Sequence, residues 1–289
     1  MRWDRGYRSS NVEDRRGEQF SGGGGLGGLG AGFGLIRLLS LFGWKGMLVG
    51  LVLAAVLAGG GTCLGGSGMS CLGGGEPSQP TQTGPSGSTK PATSSPQEEE
   101  TVQFVSYVFD DIQKTWSNTF ENYRPAKMVL FRRGIRSGCG TATTAVGPFY
   151  CPNDRKVYID LSFYDELRRR FGAPGDFAQA YVIAHEVGHH LQNLNGKLGQ
   201  SRQANDQVPV ELQADCLAGA WARDAERRGL LEMGDVDEAL TAAAAIGDDT
   251  LQKKSQGYVQ PESWTHGSSA QRKASFDKGY RGGPSACGF

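Results

Sequence analysis

The most constraining feature of the sequence is the segment from His185 to His189, which reads HEVGH. On an α-helix, side chains four positions apart project from one face, so both histidines can bind one Zn²⁺ ion. Glu186 leaves the helix beside the same ion, where it can take a proton from a water molecule that the metal activates. The motif therefore predicts a helix that carries part of a zinc site. The reaction that such a site is expected to catalyse is hydrolysis.

The residues around this motif have the pattern of a buried helix. Apolar and small residues recur at spacings of three and four, namely Phe177, Ala180, Tyr181, Ala184, Gly188 and Leu191. Asp176 is the predicted N-cap, and Asn195 marks the predicted end. Because Gly188 costs about 1 kcal/mol relative to alanine in a helix, we expect another element to pack closely against it. His190 points about 100° away from His189, which favours a structural role for His190.

A catalytic zinc ion usually has three protein ligands and one open position, so a third ligand is needed. The best candidate is Glu211, near the start of a helix that Pro209 opens and Gly229 ends. Asp215 lies one turn later, where it can accept the free N–H of a ligating histidine and fix its tautomer. The alternative is a solvated pair of carboxylates, which the HEVGH motif in the same chain makes the weaker interpretation.

Several motifs resemble known metallopeptidases. The ELQAD segment from Glu211 resembles the third-ligand motif of the glutamate branch of the zincins, including the HtpX-type membrane proteases. The segment THGSSAQR is similar to that group's T-H-P-x-x-x-x-R element, with Gly267 in place of the proline. From RWDRGYRSSNVEDRRG to SWTHGSSAQR, the chain resembles the bacterial predicted neutral zinc metallopeptidase family. This resemblance implies that His266 and Arg272 lie near the zinc ion and stabilise the oxyanion of the tetrahedral intermediate.

Composition divides the chain into four segments. Residues 1–34 are charged and then glycine-rich, which predicts a disordered tail. Residues 35–64 are apolar and predict a transmembrane signal anchor, whereas residues 65–97 are rich in Gly, Pro, Ser and Thr and predict a flexible linker. Residues 98–289 have the length and apolar content of a single folded domain.

The predicted anchor has its uncharged window at residues 46–64, which is about long enough to cross a hydrocarbon core. Arg37 and Lys45 lie on its N-terminal side, and no basic residue follows until Lys90. The positive-inside rule then predicts a single pass with a cytoplasmic N-terminus and a domain outside, in the periplasm or extracellular space. A cleaved signal peptide is the alternative, but the apolar run begins too far from the N-terminus.

Four of the six cysteines lie in the predicted domain. An oxidising compartment would allow the disulfides Cys139–Cys151 and Cys216–Cys287. Thiolate ligands to zinc are the alternative, but the chain has no C-x-x-C spacing. Cys63 and Cys71 stay unassigned. The chain has 30 basic and 30 acidic residues, and this balance does not indicate a nucleic-acid partner.

The remaining elements define the predicted fold class. A long helix begins near Glu98, and a shorter one covers Ser162 to Phe171. Asp235 begins a helix with a pattern like a capping box. Three short runs predict a small antiparallel sheet, namely Lys127 to Arg133, Ala145 to Cys151 and Lys156 to Leu161. The fold class is therefore α+β, a zincin-like domain with a mostly helical C-terminal half after the transmembrane anchor. An exposed edge strand could bind an extended peptide, or the sheet only covers the core.

The sequence thus predicts a membrane-anchored metallopeptidase with one catalytic Zn²⁺ ion and Glu186 as general base. Its predicted partners are a peptide or protein substrate and a lipid bilayer through residues 46–64. The alternative is a non-catalytic envelope binding or scaffold protein that zinc stabilises, and a closed fourth ligand would favour it. A third possibility is an enzyme facing the cytosol with reduced cysteines. The sequence leaves the substrate, the choice between endopeptidase and exopeptidase, and the oligomeric state open.

Overall fold

The computed structural model describes residues 1–18, 20, 94–169, 172–198 and 207–289. The predicted anchor at residues 35–64, nearly all of the linker, Cys63 and Cys71 lie outside these residues. Within the part of the chain that is described, no helix combines the length and the apolar character needed to cross a membrane.

The described strands form a mixed four-stranded sheet and a separate hairpin. The strands are β1 (Val12–Asp14), β2 (Lys127–Phe131), β3 (Gly134–Ser137), β4 (Gly140–Thr143), β5 (Phe149–Cys151) and β6 (Lys156–Asp160). The sheet has the order β1-β2-β6-β5, in which β1, β2 and β6 run parallel and β5 is antiparallel to β6. The prediction of an antiparallel sheet was wrong for most of the sheet. The β3–β4 hairpin and β5 lie between β2 and β6 in the chain. Because they bring the chain back to the starting edge of β2, β6 can pair with β2 in the same direction.

Seven α-helices complete the described residues, and they dominate the C-terminal half as predicted. They are α1 (Pro96–Thr119), α2 (Ser162–Arg169), α3 (Asp176–Leu194), α4 (Val208–Arg227), α5 (Asp235–Ala245), α6 (Asp248–Gln256) and α7 (Ser269–Gly282). Helix α1 begins earlier than predicted because the Ser95 hydroxyl accepts the backbone N–H of Glu98. The N-cap of α3 is Gly175 rather than Asp176, and the capping box predicted for α5 does not form.

Two hydrophobic clusters cover the sheet. Val129 and Phe131 of β2 lie in the smaller cluster, together with residues of the β3–β4 hairpin. Met128 and Leu130 lie in the larger core, which also buries the apolar stripe of α1, so all four residues of β2 are fully buried. This continuous burial is typical of a strand in a parallel sheet that is covered on both faces. Helix α3 crosses the larger core with most of its residues buried. The element that carries the HEVGH motif is therefore the centre of a packed structure.

The first 18 residues are part of this domain, so the predicted disordered tail is wrong for them. Strand β1 pairs with β2 over three residues. Trp3 packs edge-on against Phe104 with ring centroids 5.6 Å apart, and the buried Arg16 donates to Glu99 at 2.8 Å. These partners are more than 80 residues away along the chain, so no local sequence pattern could reveal them. Charged residues of this segment form ion pairs with distant residues, as Arg16 does with Glu99.

Both predicted disulfides are present. Cys139–Cys151 joins the β3–β4 turn to β5, and Cys216–Cys287 joins α4 to the C-terminal segment. The second bond closes a loop of 71 residues that contains α5, α6 and α7. It therefore holds α7, which carries Arg272, close to α4.

Candidate metal centre

Helices α3 and α4 bring together the three predicted metal ligands. His185 Nε2 lies 3.2 Å from one carboxylate oxygen of Glu211, and His189 Nε2 lies 3.5 Å from the other. One ligand atom from each of the three side chains lies within 4.8 Å of the other two. Their N, N and O donors are those that proteins use for catalytic zinc.

The spacing of these atoms fits a zinc ion. Ligands 2.0–2.1 Å from a tetrahedral centre are about 3.3 Å from one another, which is close to the two measured Glu211 distances. Among the described residues, this group has no fourth histidine, cysteine or carboxylate. The donor set therefore fits one zinc ion with an open position.

Close packing of α3 on α4 explains the glycine inside the motif. A Cβ atom at Gly188 would lie 3.1 Å from the Cα atom and the carbonyl oxygen of Ala214. Contacts this short require the neighbouring helix to shift. The expectation that another element packs against Gly188 is confirmed, and this close approach lets Glu211 reach the two histidines.

Asp215 fixes the orientation of His185, as the sequence predicted. Its carboxylate accepts a hydrogen bond of 2.8 Å from His185 Nδ1, which leaves Nε2 facing Glu211. Burial would lower the pKa of His185, but the charge and hydrogen bond of Asp215, together with the hydrogen bond to Glu211, outweigh burial and raise this pKa to about 10. Burial would raise the pKa of Asp215, but the neighbouring Arg272 and His185 bring it to about 2. In the metal-free protein the two side chains therefore form a buried ion pair.

Arg272 and Tyr181 both donate hydrogen bonds to the Asp215 carboxylate. Arg272 Nε and Nη2 each donate to the Asp215 carboxylate at 2.9 Å, and Nη1 donates to the Ile246 carbonyl at 3.3 Å. The Tyr181 hydroxyl donates to the same carboxylate at 2.5 Å. Because all three nitrogens of the 1%-exposed Arg272 have partners within the protein, this geometry supports a positioning role rather than the predicted contact with an oxyanion. The sequence pattern identified Tyr181 only as an apolar helix position.

Gln192 performs the equivalent task for His189, and sequence analysis missed it. His189 Nδ1 donates to Gln192 Oε1 at 2.8 Å. The Gln192 amide nitrogen donates to the Val210 carbonyl at 2.7 Å, which fixes the direction of the amide. The available signal was its position three residues after His189, because residues at this spacing are neighbours on a helix.

Glu186 lies beside the three candidate ligands. The residue is only 7% exposed, and among the described residues it has no hydrogen-bond partner. Burial raises the pKa of its carboxyl group, and the two histidines act in the opposite direction. A raised pKa moves a carboxylate towards the range in which a general base works best at neutral pH.

His266 lies on the Glu211 side of the centre, in the loop between α6 and α7. Asp248 accepts the backbone N–H groups of Thr265, His266 and Gly267 at 2.7, 2.7 and 3.0 Å, and it also lies 3.2 Å from His266 Nδ1. Burial would raise the pKa of Glu211, but His189 and His185, with a smaller contribution from His266, bring it well below its ordinary value. Gly267 has a φ angle of +89°, which proline cannot adopt. The loop therefore differs from the T-H-P form of the motif that it resembles.

His190 has the structural role that its position predicted. Its ring is fully buried, with Nδ1 3.0 Å from the Tyr150 hydroxyl of β5 and Nε2 2.6 Å from the Arg124 carbonyl. Both nitrogens are thus engaged away from the metal ligands. His190 fixes the edge strand β5 against α3.

Comparisons with known proteins agree with this centre. Residues 1–288 match the family described as "Putative neutral zinc metallopeptidase". The chain is 45% identical to the uncharacterized protein YpfJ of Escherichia coli over 302 residues, which cover 99% of this chain and 98% of that protein. It is 44% identical to the uncharacterized protein Rv2575 of Mycobacterium tuberculosis over 195 residues, or 62% of this chain and 67% of that protein. No solved structure matches the chain significantly. The chain therefore belongs to the neutral zinc metallopeptidase family.

Proposed function

We propose that this protein hydrolyses peptide bonds with Glu186 as general base, at a zinc ion held by His185, His189 and Glu211. The observation that carries the proposal is the buried Glu186 carboxylate, which has no hydrogen-bond partner among the described residues and lies beside three converging donor side chains. When bound, zinc would polarise the scissile carbonyl and lower the pKa of water. The proposed site is of the zincin type with a glutamate as third ligand, as the sequence resemblance implies.

The side chains of the protein then have separate tasks. Glu186 accepts a proton from the attacking water and returns it to the leaving amine nitrogen. Asp215 and Gln192 hold the two histidines with Nε2 directed inwards. His266 is anchored through Nδ1, and its Nε2 has no partner among the described residues, so it can donate to the oxyanion.

The non-catalytic scaffold remains the second candidate. A structural zinc site would have a fourth protein ligand. Across the described ranges, the group of His185, His189 and Glu211 contains no such ligand. This supports the catalytic proposal over the scaffold.

Replacing the third ligand tests the metal site directly. We expect one zinc ion per wild-type chain, and a loss of zinc affinity of more than about 100-fold in Glu211→Ala, since even residues behind the ligands contribute 10–100-fold. Zinc content by mass spectrometry and cleavage of unfolded casein measure the two effects. Glu226→Ala, an exposed carboxylate on the same helix, is the matched control. Unchanged zinc binding in Glu211→Ala would assign the third ligand to another residue.

The fold revises the predicted membrane topology. A single crossing between residues 20 and 94 would separate β1 from β2, which are hydrogen-bonded neighbours. The predicted cytoplasmic N-terminus with an outside domain is therefore incompatible with the fold. We propose that both parts lie on one side, and the two disulfides favour an oxidising compartment outside the cytoplasm. Contact of residues 46–64 with lipid stays a prediction.

Accessibility of two surface positions tests this topology. Arg5 in the N-terminal segment has an 81% exposed side chain, and Met233 in the domain is fully exposed. We expect Arg5→Cys and Met233→Cys to react equally with a membrane-impermeant maleimide in intact cells or spheroplasts. The parent protein controls for its own cysteines. Labelling of only one position before lysis would contradict the shared compartment.

A further inference from the structure

A cavity of about 500 Å³ reaches the N-terminal half of α3, the helix that carries the HEVGH motif. Its walls come from the start of α1, the β2–β3 turn, the start of α2 and residue Gln179 of α3. Gln179 precedes Glu186 by seven residues, or two helical turns, so the two side chains share one face of α3 roughly 10 Å apart. The cavity therefore continues the metal-facing side of α3 towards its N-terminus.

Two buried polar atoms in the cavity wall have no hydrogen-bond partner in the described part of the chain. The Tyr164 hydroxyl belongs to a side chain that is only 5% exposed, and Gln179 Oε1 is also buried. Neither atom forms a hydrogen bond with a described residue. Leaving such groups unsatisfied costs about 1–3 kcal/mol each, so native proteins usually pair them. Burial, followed by the nearby Glu186 charge, raises the pKa of Tyr164, so its hydroxyl stays protonated and can donate.

The cavity also contains one arginine without a carboxylate partner. Arg132 pairs with Glu98, and Arg168 pairs with Asp165. In the part of the chain that the structure describes, the Arg133 guanidinium has no such pair. The carboxylate that remains in the wall, Asp160, accepts N–H and O–H groups and forms no ion pair among the described residues. The Arg133 guanidinium is thus the one in this wall that a ligand carboxylate can pair with.

The backbone at this arginine is held in an unusual conformation. Arg133 has a φ angle of +66°, in the left-handed region that residues other than glycine rarely adopt. The buried Asp160 stabilises it by accepting the Arg133 N–H at 3.0 Å and the Thr144 hydroxyl at 2.6 Å. Left-handed residues that the surrounding structure enforces are concentrated at ligand sites. Asp160 therefore holds the backbone of Arg133 in place in the cavity wall.

We propose that this cavity is a substrate subsite that binds a carboxylate of the peptide through Arg133 and the Tyr164 hydroxyl, while Gln179 Oε1 accepts a peptide N–H. This proposal rests on the proposed peptidase function. An extended peptide advances about 3.3 Å per residue, so the roughly 10 Å between Gln179 and Glu186 corresponds to about three residues of bound peptide. The recognised carboxylate belongs either to an aspartate or glutamate side chain or to the C-terminus of the peptide.

Peptide binding to the zinc-loaded Glu186→Gln protein tests the subsite without turnover. The probes are fluorescein-labelled ten-residue alanine-based peptides in which one glutamate moves position by position. Each has a glutamine counterpart, and each is made with a free and with an amidated C-terminus. We expect the best carboxylate peptide to bind about tenfold more tightly than its neutral counterpart, as for one charge-assisted pair. Tighter binding of a glutamate peptide than of its glutamine counterpart identifies a side-chain carboxylate. Tighter binding of the free C-terminus than of the amidated one identifies a terminal carboxylate.

Variants distinguish the subsite from general electrostatics. Arg133→Gln should remove the tenfold preference, and Arg136→Gln, which changes an exposed arginine three residues later in β3, should keep it. Tyr164→Phe should reduce the preference about threefold without lowering the melting temperature, since the hydroxyl has no hydrogen-bond partner among the described residues. Absence of any preference, or a preference that survives Arg133→Gln, would overturn the subsite.

Wild-type turnover separates this result from the proposed function. If the zinc-loaded wild type binds the carboxylate peptides with the Arg133-dependent preference but cleaves no peptide or casein, the subsite stands and the peptidase function fails. If it cleaves peptides with no carboxylate preference, the function stands and the subsite fails.

Discussion

Glu186→Gln should retain one zinc ion per chain and lose peptide hydrolysis by about 10²–10⁴-fold, the usual contribution of a general base. Glutamine has the shape of glutamate but cannot accept the proton of the attacking water. The substitution should cost little stability, because the carboxylate has no hydrogen-bond partner among the described residues and its pKa is raised by burial. The metal-free variant should therefore melt at the same temperature as the wild type or slightly higher. Initial rates on casein, zinc content and thermal melting measure the three expectations.

The control for this prediction is Glu121→Gln, which changes an exposed carboxylate after the end of α1. It should leave both rate and zinc content unchanged. Hydrolysis retained in Glu186→Gln would require another base, and loss of zinc from this variant would identify Glu186 as a ligand. Because zinc content and hydrolysis rate are measured on the same sample, retained hydrolysis and loss of zinc can be told apart.

The positions of the proposed ligands and of Asp215 follow helical spacing, so the sequence could predict which of these side chains share a helix face. His185 and His189 are one turn apart on α3, and Glu211 and Asp215 are one turn apart on α4. Each pair therefore shares a helix face, and Gly188 indicated that the helices approach closely. The resemblance of the C-terminal segment located Arg272 near the centre. Its role depends on the contact with Asp215 across two helices, which no local pattern contains.

The sheet and the N-terminal segment were harder to predict for the same reason. Helical periodicity is local, and α1 and α3 were placed with boundary errors of a few residues. Strand pairing joins distant residues, as between β1 and β2, where Val12 faces Met128. The charged residues of β1 also conceal its strand character. This missed pairing also underlies the predicted membrane topology, which treated the tail as independent of the domain and therefore able to lie on the other side.

Asp215→Ala should be the most destabilising of these substitutions, by about 3–5 kcal/mol in the free energy of unfolding of the metal-free protein. It leaves the Arg272 guanidinium buried without its carboxylate, and breaking one side of a buried ion pair has a cost of this size. Urea unfolding measures the effect. Asp277→Ala is the matched control because it removes the partner of Arg281 from an exposed pair on α7, and it should cost less than about 1 kcal/mol.

Adding Arg272→Met to Asp215→Ala separates stability from metal binding. The double variant removes both buried charges and should recover much of the lost stability, because a buried ion pair can often be replaced by apolar residues at little cost. It does not restore the hydrogen bond to His185 Nδ1, so zinc affinity should stay about 10–100-fold below that of the wild type. Recovery of zinc affinity together with stability would mean that Asp215 only balances the Arg272 charge. Recovery of stability alone would establish that Asp215 positions the ligand, with Arg272 keeping this carboxylate ionised and in place.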